Sequence, residues 1–438
     1  MSLEWIESEF KTVSFNDQRL DHRFMQILGA FSSHPTLSIP AACQGRNEFE
    51  ACYRFFDNEK VTPQKIWQPH FNATMERCRD KPVVLVPQDT TELDFSRPEQ
   101  QVVGAGPLDG SSRRGAFLHT NQAFTTDGLA LGILSAKIWA RDEPDPNTPP
   151  LSQSEKQKKS RGTPFEQRES FRWFEGMQAV QQAAEQCPET QFISLNDSEG
   201  DMFELLSFQR RSSNFHWIIR ACHDRQTLDE AGELSGLLRS VLQKSEVLFP
   251  CQIQVRRRDA KVSCETRNRR VARQDRIAAV SVRADTMLLP VPAEKRAVLG
   301  ESIAVNVVWV LEEKPPEGEA PLEWILLTTL PISTQEEIRL VMDNYTTRWM
   351  IEIYHRVLKS GCRVEERRFE TLPRMLNCMA IYMVVAWRIL FMCWLGRHCP
   401  EMPCDVVFDD AEWQAVYKVL NPKKNYPLNR HNYKSSFA

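Results

Sequence analysis

The chain has no excess of positive charge. Its 55 Lys and Arg face 58 Asp and Glu across 438 residues, a net charge of −3 with a pI near 6.4. A protein basic all over is excluded, so any contact with nucleic acid must come from local patches. Also lacking is any Cys-x-x-Cys pair among the 12 cysteines. Cys393, His398, Cys399 and Cys404 are spaced like no standard zinc site, so the thiols are expected to be small buried hydrophobes. The opening Met1-Ser-Leu-Glu-Trp5 is not a secretory leader, and reduced thiols in the cytoplasm are the expectation. Met375 to Leu395 is apolar and long enough to cross a bilayer. Asn377 near its start and Arg388 inside it are costly in lipid, so a buried core helix or dimer interface is expected, with no membrane.

What is present is ordinary globular composition, 42% hydrophobic and 26% charged, at a length that asks for two or three domains. Residues 1–70 read as helical. Asn16-Asp17 caps a helix carrying Arg19, Leu20, Arg23, Phe24, Ile27 and Leu28, and a second helix runs through Phe49, Ala51, Tyr53, Arg54 and Phe55. Basic side chains on short helices suit a module that reads DNA ends. The texture then changes. Pro82-Val-Val-Leu-Val-Pro-Gln-Asp89 is an apolar run ending on an acid, although Pro87 is awkward in a central strand. Strands at 115–124 and 128–139 are joined across Thr125-Thr-Asp-Gly128, a hairpin signal. Asp142 to Gly162 reads as a loop, and Phe165 to Gln186 as an amphipathic helix. Phe192 to Asp197 is a second apolar run ending on an acid. Residues 209–312 are β-rich and hold the densest basic tract: Arg256, Arg257, Arg258, Lys261, Arg267, Arg269, Arg270, Arg273 and Arg276. Such a tract suits contact with a phosphate backbone.

The most informative stretch is Tyr345 to Lys359. At about 100° per residue, Tyr345, Arg348, Glu352 and Lys359 fall on one helix face, and Trp349, Met350, Ile351, Ile353, Tyr354, Val357 and Leu358 cover the rest. An i,i+4 Arg–Glu pair ordinarily does no more than stabilise a solvated face. The spacing Tyr-(2)-Arg-(3)-Glu-(6)-Lys, however, resembles the YREK signature of bacterial cut-and-paste DDE transposases of insertion-sequence family four. Two apolar strands each ending on an aspartate, followed by a helix bearing a glutamate, is also the order of an RNase H-like active site. Asp89, Asp197 and Glu352 would there hold two divalent cations, Mg²⁺ by preference and Mn²⁺ as substitute.

The resemblance runs in order over roughly residues 10 to 420. Asp89-Thr90-Thr91 is similar to the family's first-aspartate motif, and Asp197-Ser-Glu-Gly-Asp201 to its second block. Trp324 resembles the tryptophan that stacks on a base flipped out near the transposon end. Arg220 resembles a basic residue near the active site, and Tyr53-Arg54-Phe55 part of the DNA-binding helices. The resemblance implies a helical DNA-binding domain over 1–70, an RNase H-like α/β catalytic domain over 71–375 with a β-rich insertion, and a short helical C-terminal region over 376–438. It further implies Tyr345, Arg348 and Lys359 as phosphate-gripping residues, double-stranded DNA (transposon ends and target) as partner, and a homodimer on that DNA. The expected activity is end cleavage through a hairpin intermediate, then joining of the 3′ ends to target. The family continues into C-terminal dimerisation helices, of which Val406 to Leu420 resembles only the start. The other expectations are therefore a non-mobilising regulator or relic, or a stand-alone two-metal nuclease.

Overall fold

The computed structural model describes residues 4–43, 45–97, 100–109, 112–143, 162–255 and 273–403, together with 152, 154, 155, 257, 408, 413, 414 and 417–419. Six members of the basic tract (Arg256, Arg258, Lys261, Arg267, Arg269 and Arg270) lie outside the described residues, as do most of 142–162 and most of 406–420. The chain forms two compact units. The first gathers residues 1–81, 90–148 and 350–438, and the second 82–89 and 149–349. Two of the crossings between them fall at Asp89–Thr90 and Trp349–Met350.

The main elements open with helices α1 (Glu4–Glu9), α2 (Gln18–Ser33), α3 (Ile39–Ala42), α4 (Arg46–Phe56) and α5 (Pro63–Arg79). Strands β1 (Val83–Asp94), β2 (Gly106–Pro107), β3 (Arg114–Phe124) and β4 (Ala130–Trp139) follow. Then come α6 (Phe171–Gln186), β5 (Gln191–Asn196), β6 (Phe215–Arg220), β7 (Gln226–Leu228), β8 (Leu234–Leu237) and β9 (Phe249–Val255). The last are β10 (Arg276–Pro290), β11 (Ser302–Leu311), β12 (Glu323–Thr328), α7 (Gln335–Thr346), α8 (Trp349–Arg356) and α9 (Leu372–His398).

The first unit is held by aromatic packing. Asp17 caps α2 by accepting the Arg19 N–H, one of the donors a helix start leaves orphaned. Phe24, Ile27, Leu28 and Phe31 then recur at helical spacing and are all buried. The Phe10, Phe15, Phe24 and Phe55 rings meet at centroid distances of 4.9 to 5.6 Å. Helix α9 runs through the middle of this unit. Long and apolar enough to cross a membrane, it is buried from Cys378 through Trp387. Its Asn377 amide donates to the Phe56 and Val61 carbonyls, each at 3.1 Å. The hairpin β3–β4 turns at Gly128, whose φ of +86° a side chain would disfavour. The last part of β1 lies on β3, where a Cβ at Gly115 would collide with the Leu93 carbonyl.

In the second unit the strand order is β1–β5–β6–β12–β11–β10–β7–β8, with β9 also on β10. β1, β5 and β6 are parallel, and the strands from β6 through β12 to β11 and β10 pair antiparallel. The ladder from β1 to β5 ends at Pro87↔Leu195. Pro87, which has no N–H to donate, is thus accommodated at the limit of the pairing. One face of the sheet, with Leu85, Ile193, Leu195, Ile218 and Leu326, packs on Ile338, Val341, Met342 and Tyr345 of α7. A capping box starts α7: Thr334 accepts the Glu337 N–H at 3.2 Å and Glu337 accepts the Thr334 N–H at 3.0 Å. Strands β4, β3 and the last part of β1 neighbour one another in the first unit, and the first part of β1, β5 and β6 in the second. The α/β class expected from the sequence is the one observed.

The expected single helix from Tyr345 to Lys359 is not continuous. Helix α7 ends at Thr346, and the Thr347 and Arg348 N–H groups each bond three residues back, at 3.1 Å. That tight turn is followed by α8 and then by a π-helical turn over Val357–Gly361, closed by the Cys362 N–H on the Val357 carbonyl at 2.8 Å. Tightening and then widening the helix shifts the phase assumed at 100° per residue. Trp349, expected to be buried, is 51% exposed. Phe165–Gln186 is likewise interrupted: a 3₁₀ turn at Phe165–Gln167 precedes α6.

One charged network is buried in the first unit. Glu9 accepts from Arg77 at 2.7 and 3.0 Å and lies against His70 Nδ1. The Ile133 N–H donates to His70 Nε2 at 3.0 Å, which places the ring proton on Nδ1 and keeps the imidazole neutral. Burial alone would raise Glu9, but His70 and Arg77 more than offset it and hold the carboxyl at about 2. Burial lowers His70 by more than Glu9 raises it. In both cases the unfolded group takes up its proton at higher pH than the folded one, so the stabilisation is present at neutral pH and lost on acidification. The His70 share declines below about pH 6.5, and the Glu9 share between about 4.5 and 2. Urea unfolding across pH is expected to show this decline. Glu9→Gln should cost about 3 kcal/mol at neutral pH, the low end for a broken buried pair because Arg77 keeps some exposure.

Candidate functional site

In the second unit the register of three strands assembles a polar edge. Asp89 follows Pro87 by two residues on β1, and Asp197 follows Leu195 by two, directly after the end of β5, so both continue from the pairing Pro87↔Leu195 toward the same face. Neighbouring strands lie about 4.8 Å apart, which is close enough for two carboxylates to share a ligand. β6 continues the row. Asn196 pairs with Ile219, so Arg220 stands beside Asp197. β12 runs back antiparallel with Leu326 opposite Arg220, which puts Trp324 at the same edge and on the same face.

Helix α7 brings Tyr345 onto this edge. The Trp324 and Tyr345 rings meet edge to face at a centroid distance of 5.9 Å. Burial pushes the Tyr345 phenol up to about 12, while Arg348 and Arg220 pull it down and Asp197 raises it further. Those causes place Asp197, Arg220 and Arg348 within electrostatic reach of one hydroxyl, which Arg348 also hydrogen-bonds. The phenol stays protonated at any physiological pH and can act as a donor. Asp197 uses one oxygen to accept the Glu199 N–H at 2.8 Å, capping a 3₁₀ turn. Beneath it, the buried Gln88, Ser194 and Asn196 side chains hydrogen-bond one another, fixing the strand ends. Five residues selected from the sequence, Asp197, Arg220, Trp324, Tyr345 and Arg348, thus come together, with Asp89 in register beside them.

Glu352 and Lys359 belong to the first unit. Glu352 is half-buried on α8 between Ile351 and Tyr354, both fully buried. One turn on, His355 is buried, and its Nε2 meets the Thr120 hydroxyl at 2.8 Å. Burial, and then the Lys359 charge, lowers His355 to about 3, so it is neutral. Lys359 Nζ donates to the Glu92 carbonyl at 2.8 Å and pairs with Glu365 at 3.2 Å. His355 could have been noticed three residues after Glu352 on the same helix; Glu365 carried no signal in the sequence.

The three N-terminal arginines expected to contact DNA differ in surroundings. Arg54 is exposed on α4, with Tyr53 turned inward against Phe369 at 5.2 Å. Arg19 is exposed and bonded to its own cap residue, Asp17. Arg23 is half-buried and its charge acts on the Cys43 thiol.

Asp201, Cys222 and His223 are the one group of three possible ligands whose donor atoms converge among the described residues, within 4.8 Å of one another. Asp201 is already committed. It accepts the Cys222 and His223 N–H groups at 2.7 and 2.9 Å and pairs with the buried Arg225 at 2.5 Å. A guanidinium in contact with the carboxylate disfavours a cation there. Asp201 instead pins the turn that follows Arg220, a role that sequence spacing did not reveal.

Residues 2–61 match the family model described as Transposase DNA-binding. Among solved structures the chain is similar to a piggyBac transposase synaptic complex with hairpin DNA, with 11% identity and a TM-score of 0.39, over 94% of this chain and 78% of that one. The family match identifies residues 2–61 as a transposase DNA-binding domain.

Replacing Asp201 should leave Arg225 buried without its counter-charge. Asp201→Ala is expected to cost roughly 3–5 kcal/mol in urea unfolding, and added Zn²⁺ should not change the midpoint of the wild type.

Proposed function

We propose that the chain is a DDE transposase of the insertion-sequence family four type. It binds transposon terminal repeats, cleaves the ends through a hairpin and joins the 3′ ends to target DNA. The observation that carries this reading is the register that sets Asp89 beside Asp197 at one sheet edge, with Arg220, Trp324 and Tyr345 around them. Paired carboxylates offer hard oxygen donors, the set that suits Mg²⁺ or Mn²⁺. Asp89, Asp197 and Glu352 would hold two such cations, which when bound supply Lewis-acid activation of the attacking oxygen and stabilisation of the leaving one.

The protein's own groups do the positioning. Arg348 offers a planar fork to a phosphate, and Lys359 a point charge. Tyr345, kept neutral by burial, donates its hydroxyl to a phosphate oxygen. Trp324, half-buried at the edge, offers a face on which an extruded base can stack. Arg220 adds charge beside Asp197. Residues 1–70, through Arg19, Arg23 and Arg54, read the terminal repeat. Residues 71–375 carry the chemistry, and the protein acts on DNA as a homodimer in the cytoplasm.

The test is a cleavage assay on DNA bearing the element's own terminal repeats, with Mg²⁺. Wild type should yield a hairpin product, and Glu352→Gln should bind the same DNA and yield none. Trp324→Ala should slow hairpin formation by about 5- to 150-fold, the worth of one base–aromatic stack. Binding without cleavage by wild type would favour a non-mobilising regulator. Cleavage indifferent to end sequence would favour a plain nuclease.

A further inference from the structure

Lys359 is not an open cation. It sits on the π-helical turn that ends α8, donates to the Glu92 carbonyl at 2.8 Å and is ion-paired with the Glu365 carboxylate at 3.2 Å. Glu365 is itself held in place. The same carboxylate oxygen accepts the Asp94 N–H at 2.9 Å. Before it the chain turns through Arg363, whose φ of +52° is a left-handed conformation that a non-glycine residue rarely adopts. Arg363 is tied to Glu366 at 2.8 Å. Strain of this kind persists where the surroundings over-determine it, and here it delivers Glu365 to Lys359.

The charges nearby favour neutralisation. Glu92 and Asp94 share Arg113, at 2.7 and 3.8 Å, so that cation is compensated as well. Lys359 is 30% and Glu365 27% exposed, so the pair is within reach of an approaching polyanion. A phosphate that seeks the ammonium meets the Glu365 carboxylate beside it.

We propose that Glu365 is a charge gate on Lys359. It holds the ammonium in a neutral pair, so that Lys359 contributes little to binding of arbitrary DNA and engages a backbone phosphate only when other contacts already hold that phosphate in place. Glu365 therefore acts through Lys359, as a specificity-determining residue. The inference rests on the reading of Lys359 as a phosphate contact.

The experiment measures affinity of the full-length protein for a short labelled duplex of arbitrary sequence, across roughly 50 to 200 mM salt. Wild type is compared with Glu365→Gln, Lys359→Gln and the double variant. Glutamine at 365 keeps an oxygen for the Asp94 N–H and removes only the charge. Glu365→Gln should tighten binding several-fold at the lowest salt and steepen the log–log slope by about 0.9, one added phosphate contact. The double variant should lose both gains. An unchanged slope in Glu365→Gln, or weaker binding at an unchanged melting temperature, overturns the gate. If Lys359→Gln weakens binding but Glu365→Gln does not strengthen it, the gate alone fails. If Lys359→Gln changes nothing in the Glu365→Gln background, the phosphate reading of Lys359 fails and the gate with it.

Discussion

The parallel pairing of β1 with β5 is the constraint on which the candidate site depends. Successive side chains on a strand alternate between faces, so a one-residue slip would send Asp89 and Asp197 to opposite sides of the sheet. The register is held by the apolar run from Val83 to Pro87 against Gln191 to Leu195, and by the Gln88, Ser194 and Asn196 hydrogen bonds beside it. From that pairing the rest follows in order. β6 extends the row and brings Arg220 beside Asp197. β12 returns antiparallel and sets Trp324 at the same edge. α7 packs on the buried face and carries Tyr345 to its rim.

Stability and reactivity are kept apart in this arrangement. Below the edge the strands bury continuous apolar runs, and the polar groups there satisfy one another. At the edge, charge is left half-buried and concentrated. The devices that hold it are positional: the Asp201–Arg225 pair pins the turn after Arg220, and the capping box fixes where α7 starts. In the first unit Glu365 and the Glu92 carbonyl do the same for Lys359. The chain passes from one unit to the other directly after Asp89, and again at Trp349–Met350, just ahead of Glu352.

The sequence made the fold class and the polar edge largely legible, through continuous apolar runs, helical spacing and the spacing of the Tyr-Arg-Glu-Lys signature. Apolar runs ending on acids marked β1 and β5, and Thr125 to Gly128 marked the β3–β4 hairpin. The N-cap Asp17 was equally plain. What stayed hidden depended on tertiary contacts or on local departures from ideal geometry. Trp349 was assigned to a buried face because an unbroken helix was assumed; the tight turn at Thr347–Arg348, directly before it, changes the phase. Lys359 reads as a simple cation, since its partner Glu365 is brought to it by a left-handed Arg363 that no pattern announces. Asp201 reads as one more acid in a motif, and only the fold shows Arg225 against it.

We propose that Asp89, Asp197 and Glu352 hold the metal. The most direct test is iron-directed cleavage of the polypeptide, with Fe²⁺ in place of Mg²⁺, ascorbate and hydrogen peroxide, and the fragments sized by mass spectrometry. Cuts close to residues 89, 197 and 352 that fade as Mg²⁺ is added are the expected result. Cuts confined to the Asp201–His223 turn, or none that Mg²⁺ suppresses, would contradict it.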